Sequence, residues 1–134
     1  MASHPPPTAA TLLAQAEEFL RAACAIRGKG MRATHLLLTC QGLELAFKAF
    51  CLDSGIGLET LRTQYSHDLV QLFDAAQTHG LGLNSKAQAD IAFMNDDYVS
   101  KALNYLEPRP YYATSEENLE SGLATVILEV KKRI

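Results

Sequence analysis

Arg62 and His67 are the residues whose types and spacing come nearest to an enzyme's, standing with four residues between them. An imidazole can act as general base or acid on a ribose 2′-hydroxyl while a guanidinium steadies the phosphate. The pair therefore has the chemistry of a metal-independent ribonuclease if both side chains face one cleft, with Lys48 and Lys101 as candidate phosphate contacts. Asp68 follows His67 directly and is a carboxylate able to orient the ring, but neighbouring polar residues at a helix start more commonly cap it.

A second constellation is a stripe. At 100° per residue Thr34, Gln41, Glu44 and Lys48 fall within about 80° of one another on an otherwise apolar helix. Glu44 and Lys48 stand four apart in the favourable acid-before-base order, which reads first as a structural ion pair. The functional reading is that Gln41, Glu44 and Lys48 line a cleft, because polar groups on a mostly buried helix need water, partners or a ligand. Further along, Tyr98, Lys101 and Tyr105 share helical spacing, with Arg109, Tyr111 and Tyr112 after them. Tyrosines beside cations can stack bases, although such a stripe more often packs in a core or an interface. The candidate ligand- or RNA-binding residues are thus Gln41, Glu44, Lys48, His67, Asp68, Lys101, Tyr105 and Arg109.

Other signatures are lacking. The chain has no glycine-rich phosphate loop, no HExxH and no GxSxG, and its cysteines and histidines do not have metal-ligand spacing, so no metal or cofactor is called for. Cys24, Cys40 and Cys51 sit inside apolar helical patterns and read as reduced core thiols. Cys40 and Cys51 lie on similar faces of one helix but about 16 Å apart along it, too far for a disulfide.

The elements that must position these residues are all helical. Leu12, Ala16, Phe19, Leu20, Ala23 and Ile26 repeat at three-and-four spacing and predict a first helix over 8–27, ended by Gly28-Lys29-Gly30. A second helix, 31–53, is apolar around most of its circumference and must be central, wrapped by neighbours or packed on a second subunit. Ser54-Gly55-Ile56-Gly57 ends it. A third helix over 66–79 is expected, with Ser66 as N-cap and Asp68 complementing the positive helix end. Ser85 with Gln88 signals a capping box for a fourth helix that runs until just before Pro108, and Thr114 with Glu117 signals a fifth that ends in Lys131-Lys132-Arg133. No segment has the alternation of a strand. The expected fold is all-α, an antiparallel bundle of about five helices forming one domain over 8–134 behind a flexible proline-rich arm at 1–7.

Composition bounds the rest. With 134 residues, 48% hydrophobic and 20% charged, the chain is long enough for its own core and unlike a disulfide scaffold, a disordered tail or a membrane protein. A net charge of -3 gives no bulk attraction to phosphate, so nucleic-acid binding needs a local patch. Reduced core thiols make the cytoplasm the expected setting, apolar runs of only a few residues give no membrane partner, and the start, Met1-Ala2-Ser3-His4-Pro5-Pro6-Pro7, has neither the basic residues nor the apolar run of a signal peptide.

Several runs together are similar to a known family. His35-Leu36-Leu37-Leu38, Gly42 through Phe50, Ser66-His67-Asp68-Leu69-Val70-Gln71-Leu72, and Tyr98 through Tyr105 resemble bacterial HEPN-like domains over nearly the whole chain after the arm. The resemblance implies a helical bundle that commonly dimerises, found in RNA-cutting toxins, in partners of nucleotidyltransferases and in members without an assigned role. Catalytic members carry Arg and, four to six residues on, His at the start of a late helix. The corresponding stretch here, Arg109-Pro110-Tyr111-Tyr112-Ala113-Thr114-Ser115, has the Arg without a His. The leading expectation is therefore a non-catalytic dimeric binding or regulatory module of a toxin-antitoxin or nucleotidyltransferase-associated system, with a protein or RNA as partner. The alternatives are a ribonuclease using Arg62 and His67, and a structural assembly domain in which Glu44, Lys48, His67 and Asp68 serve stability alone.

Overall fold

The computed structural model describes residues 5–65, 67–100 and 115–134. The chain forms α1 (Ala9–Ile26), α2 (Arg32–Asp53), a single turn α3 (Leu58–Thr60) continuing into a π-helical turn (Leu61–Tyr65), α4 (Leu69–Thr78), α5 (Ser85–Ser100) and α6 (Glu116–Arg133). The fold is an all-α bundle, and no strand occurs among the described residues. The proline arm is described from Pro5 and is exposed up to Thr8.

Local chemistry explains the boundaries. Thr8 caps α1, accepting from the Thr11 N–H at 3.2 Å, while the Thr11 hydroxyl accepts from the Thr8 N–H at 2.8 Å, so two otherwise orphaned donors are satisfied. Gly28 and Gly30, at φ 76° and 77°, take the left-handed conformation that turns the chain back into α2. Three expected helix starts move. Asp68, not Ser66, is the N-cap of α4, and its carboxylate accepts the Val70 and Gln71 N–H groups at 3.1 Å each. Asn84, not Ser85, caps α5 by accepting from Ala87 N–H at 2.9 Å. Ser115 caps α6 through Asn118 N–H, while Thr114 lies outside the described residues. In each case the run offers two polar candidates one or two residues apart, and the backbone geometry at the helix start selects between them. The expected extension of the fourth helix beyond residue 100 also lies outside the described residues.

α2 is the centre of the bundle, packing on α1, α6, α4 and α5. Leu36, Cys40, Leu43, Ala46, Phe47, Ala49, Phe50 and Cys51 are all buried, facing in every direction around the helix. Each large apolar side chain so buried contributes about 1.5–3 kcal/mol, so the core is organised by this one element. Phe47 meets Phe73 of α4 edge to face, ring centroids 6.0 Å apart at 89°. α2 is long and apolar enough to cross a membrane, yet 67% of its most apolar window is buried inside the bundle, where neighbouring helices take the place of any other apolar medium. Gly42 lets α1 and α6 come close: a Cβ there would stand 2.6 Å from Leu123 and 3.4 Å from Phe19. None of the three cysteines is in a disulfide, and Cys40 and Cys51 are core thiols. Cys24 departs from expectation, lying exposed beside the buried stripe of α1, which runs through Ala16 and Ala23.

Candidate binding site at the Glu44 carboxylate

The polar stripe of α2 survives folding only in part. Thr34 is exposed near the start of the helix and Gln41 is half-buried, whereas Glu44 is 7% exposed, an acid held almost inside the core. Both of its oxygens are used: Oε2 accepts from Lys48 Nζ at 2.7 Å and Oε1 accepts from His67 Nδ1 at 2.8 Å. The predicted Glu44–Lys48 ion pair is thus present, one helical turn apart and mostly sheltered, with side chains 10% and 16% exposed. A charge so far from water needs this compensation, since an unpaired buried carboxylate costs several kcal/mol, roughly.

His67 arrives from the segment that follows α2. Leu61, 1% exposed, anchors the π-helical turn in the core, and Asp68 N–H donates to the Tyr65 carbonyl at 2.9 Å. This tight return sets His67 against α2 with its side chain 69% exposed. Asp68 does what the capping reading expects, and the carboxylate that engages the imidazole is Glu44, far away in sequence. A carboxylate can only accept, so His67 Nδ1 carries the hydrogen, which leaves Nε2 as the ring's acceptor in the neutral form. α5 braces the arrangement: Asn95, 8% exposed, accepts from Leu69 N–H at 2.6 Å and donates to Asp68 at 3.3 Å.

Arg62 does not join His67. It lies on the π-helical turn with its side chain 75% exposed, and its Nη2 reaches both oxygens of Glu59 at 2.8 Å. Five positions on, a regular helix would itself set the two side chains about 140° apart, and here Arg62 engages Glu59 while His67 engages Glu44. Lys101, Tyr105 and Arg109 lie outside the described residues. The site that the structure assembles from the sequence candidates is Glu44, Lys48 and His67, with Gln41 one turn away and Asp68 as the adjacent cap.

Sequence reasoning missed a second polar cluster. His35, wholly buried on α2, contacts Glu120 of α6 through Nε2 at 2.7 Å, while its Nδ1 has no hydrogen-bond partner among the described residues. Glu120 also accepts from Arg27 at 3.0 Å and from the Cys24 thiol at 3.1 Å, and Glu116 accepts from the Gly28 N–H at 2.9 Å. Burial acts to raise the Glu120 pKa, but the hydrogen bonds from His35 and Cys24 and the charge of Arg27 outweigh it, holding the carboxyl below its ordinary range. Burial, with the nearby Glu120 carboxylate, pushes the Cys24 thiol up. The available signal was a histidine within the most apolar helix and two glutamates four apart on α6, one of them beside Leu119; each alone looks like a surface residue. This cluster ties α6 to the turn between α1 and α2.

Among the described residues no group of three or more His, Cys, Asp or Glu is placed to hold a metal ion. A cavity of about 380 Å³ opens between α5 and α6, over Leu43, Ile91, Met94, Leu119 and Leu123, and none of the candidate site residues among those described lines it. No family model, no curated protein and no solved structure matches this chain.

Proposed function

We propose that this protein is a non-catalytic HEPN-like module that dimerises and binds a macromolecular partner in the cytoplasm, a protein of the nucleotidyltransferase kind or an RNA. The observation that carries the non-catalytic reading is that Arg62 and His67 are held by different carboxylates, Glu59 and Glu44. General acid–base cleavage of RNA needs the imidazole and the phosphate-binding cation on one substrate. Polar atoms gathered around Glu44, with an exposed imidazole on top, suit recognition instead. Dimerisation and the identity of the partner rest on the resemblance, since α2 completes its burial within one chain.

One observation favours a second reading. An imidazole whose Nδ1 is oriented by a carboxylate is also the arrangement of a general base, so a ribonuclease working through His67 is the competitor. Labelled structured RNA incubated with the purified protein, with and without chelator, beside His67→Ala and with the mass in solution recorded, separates the two. The binding module leaves RNA intact and has the mass of a dimer. Chelator-resistant cleavage that disappears in His67→Ala would replace it with the ribonuclease, and a monomeric mass at micromolar concentration would remove the dimer.

A further inference from the structure

We propose that Asn95 is the positioning residue of the Glu44 site: from α5, its side-chain amide sets the start of α4 and so presents His67 to Glu44. The inference rests on the reading of Glu44, Lys48 and His67 as the binding site. Asn95 has no contact with His67 itself among the hydrogen bonds described. It acts on the next two residues, accepting from Leu69 N–H at 2.6 Å and donating to Asp68 Oδ1 at 3.3 Å.

The same Asp68 oxygen already accepts two amide hydrogens of the first turn, and Asp68 N–H is held by Tyr65. The residue after His67 is thereby fixed through its backbone and its side chain, and one amide from another helix closes the set. His67 is a mostly exposed side chain on a turn, and its Nδ1 reaches Glu44 at 2.8 Å from a backbone whose next two residues are bonded to Asn95, a buried group on another helix. An asparagine suits this task because one planar group supplies an acceptor for an N–H and a donor for a carboxylate. An aspartate of the same shape would keep the first bond and set a negative charge against Asp68.

Nitrogen-15 spectra of the imidazole rings in the full chain test this, comparing wild type with Asn95→Ala, Asn95→Asp and Glu44→Ala. Wild type is expected to show His67 with the hydrogen on Nδ1, and Glu44→Ala to lose that signature. Both Asn95 variants should lose it too while keeping helix content, and in Asn95→Ala, where the Leu69 N–H loses its acceptor, hydrogen-exchange protection of Leu69 should fall roughly threefold to tenfold, the worth of one net hydrogen bond. Should Asn95→Ala fail to fold, the isosteric Asn95→Asp carries the same readout. An unchanged His67 signature in a folded Asn95 variant overturns the proposal and leaves the binding reading standing. A wild type without the Nδ1 signature removes the His67–Glu44 pair and overturns it as well. RNA cleavage by wild type, in contrast, defeats the binding reading while the positioning role survives.

Discussion

Truncating Glu120 to alanine should cost about 3 kcal/mol, and the structure says where that comes from. Glu120 is 6% exposed and accepts from three side chains of unequal access to water. Arg27 is 43% exposed along its side chain and Cys24 is exposed, so both can turn to solvent for a few tenths of a kcal/mol each, roughly. His35 cannot, being 0% exposed, and its Nδ1 already lacks a hydrogen-bond partner among the described residues. Glu120→Ala would leave its ring without the bond at Nε2 as well, at about 1–3 kcal/mol for an unsatisfied buried group. The lost methylene contacts add about 1 kcal/mol. At about 2.1 cal/mol/K per residue, a loss of ~3 kcal/mol lowers Tm by about 10 °C in a chain of this length. Urea and thermal unfolding followed by circular dichroism read both numbers. The double variant His35→Leu with Glu120→Leu should recover to within about 1 kcal/mol of wild type, because apolar residues of similar volume replace a buried polar pair at little net cost. A Glu120→Ala protein within about 0.5 kcal/mol of wild type would refute the reasoning, showing that His35 finds another partner.

The pH dependence follows from the same carboxyl. Its folded pKa is below the ordinary range, so its contribution is fully present above the unfolded value and is lost as pH falls through the folded one; Tm against pH should fall less steeply on the acid side in Glu120→Gln. Thiol titration of the native protein should find Cys24 alone accessible and slow, its pKa being raised, while Cys40 and Cys51 react only in denaturant; Cys51 is pushed up to about 11 by burial, and rapid native reaction of two or more thiols would contradict this. Gly42→Ala should lose about 1–3 kcal/mol in chemical denaturation, since the new methyl meets fully buried Leu123 at 2.6 Å, and an unchanged midpoint would mean that α6 shifts freely.

How much of the candidate site was legible follows from the range of each interaction. Glu44 and Lys48 were readable as a pair because helix geometry alone sets the contact four residues on. The partner of His67 was not readable, because its nearest carboxylate in sequence, Asp68, is committed to backbone amides of α4 and the ring turns to a residue on another helix. The spacing of Arg62 and His67 suggested a pair, whereas in the fold Arg62 engages Glu59 and His67 engages Glu44. Asn95 gave no sequence signal, being one amide in a stretch of ordinary polar residues.

The amino-acid order by itself determined the class of fold: three-and-four periodicity, glycine interruptions and capping residues act over a few positions and specify helices whatever surrounds them. It also determined that α2 must be covered, since nearly its whole circumference is apolar. Only the tertiary structure decided what covers it, which of the nearby polar residues serves as each cap, and that Cys24 is exposed and donates to Glu120. It alone joined His35 to Glu120 and His67 to Glu44 across 85 and 23 residues. Such partners are chosen by which helices pack together, and packing is a property of the assembled core that no local pattern encodes.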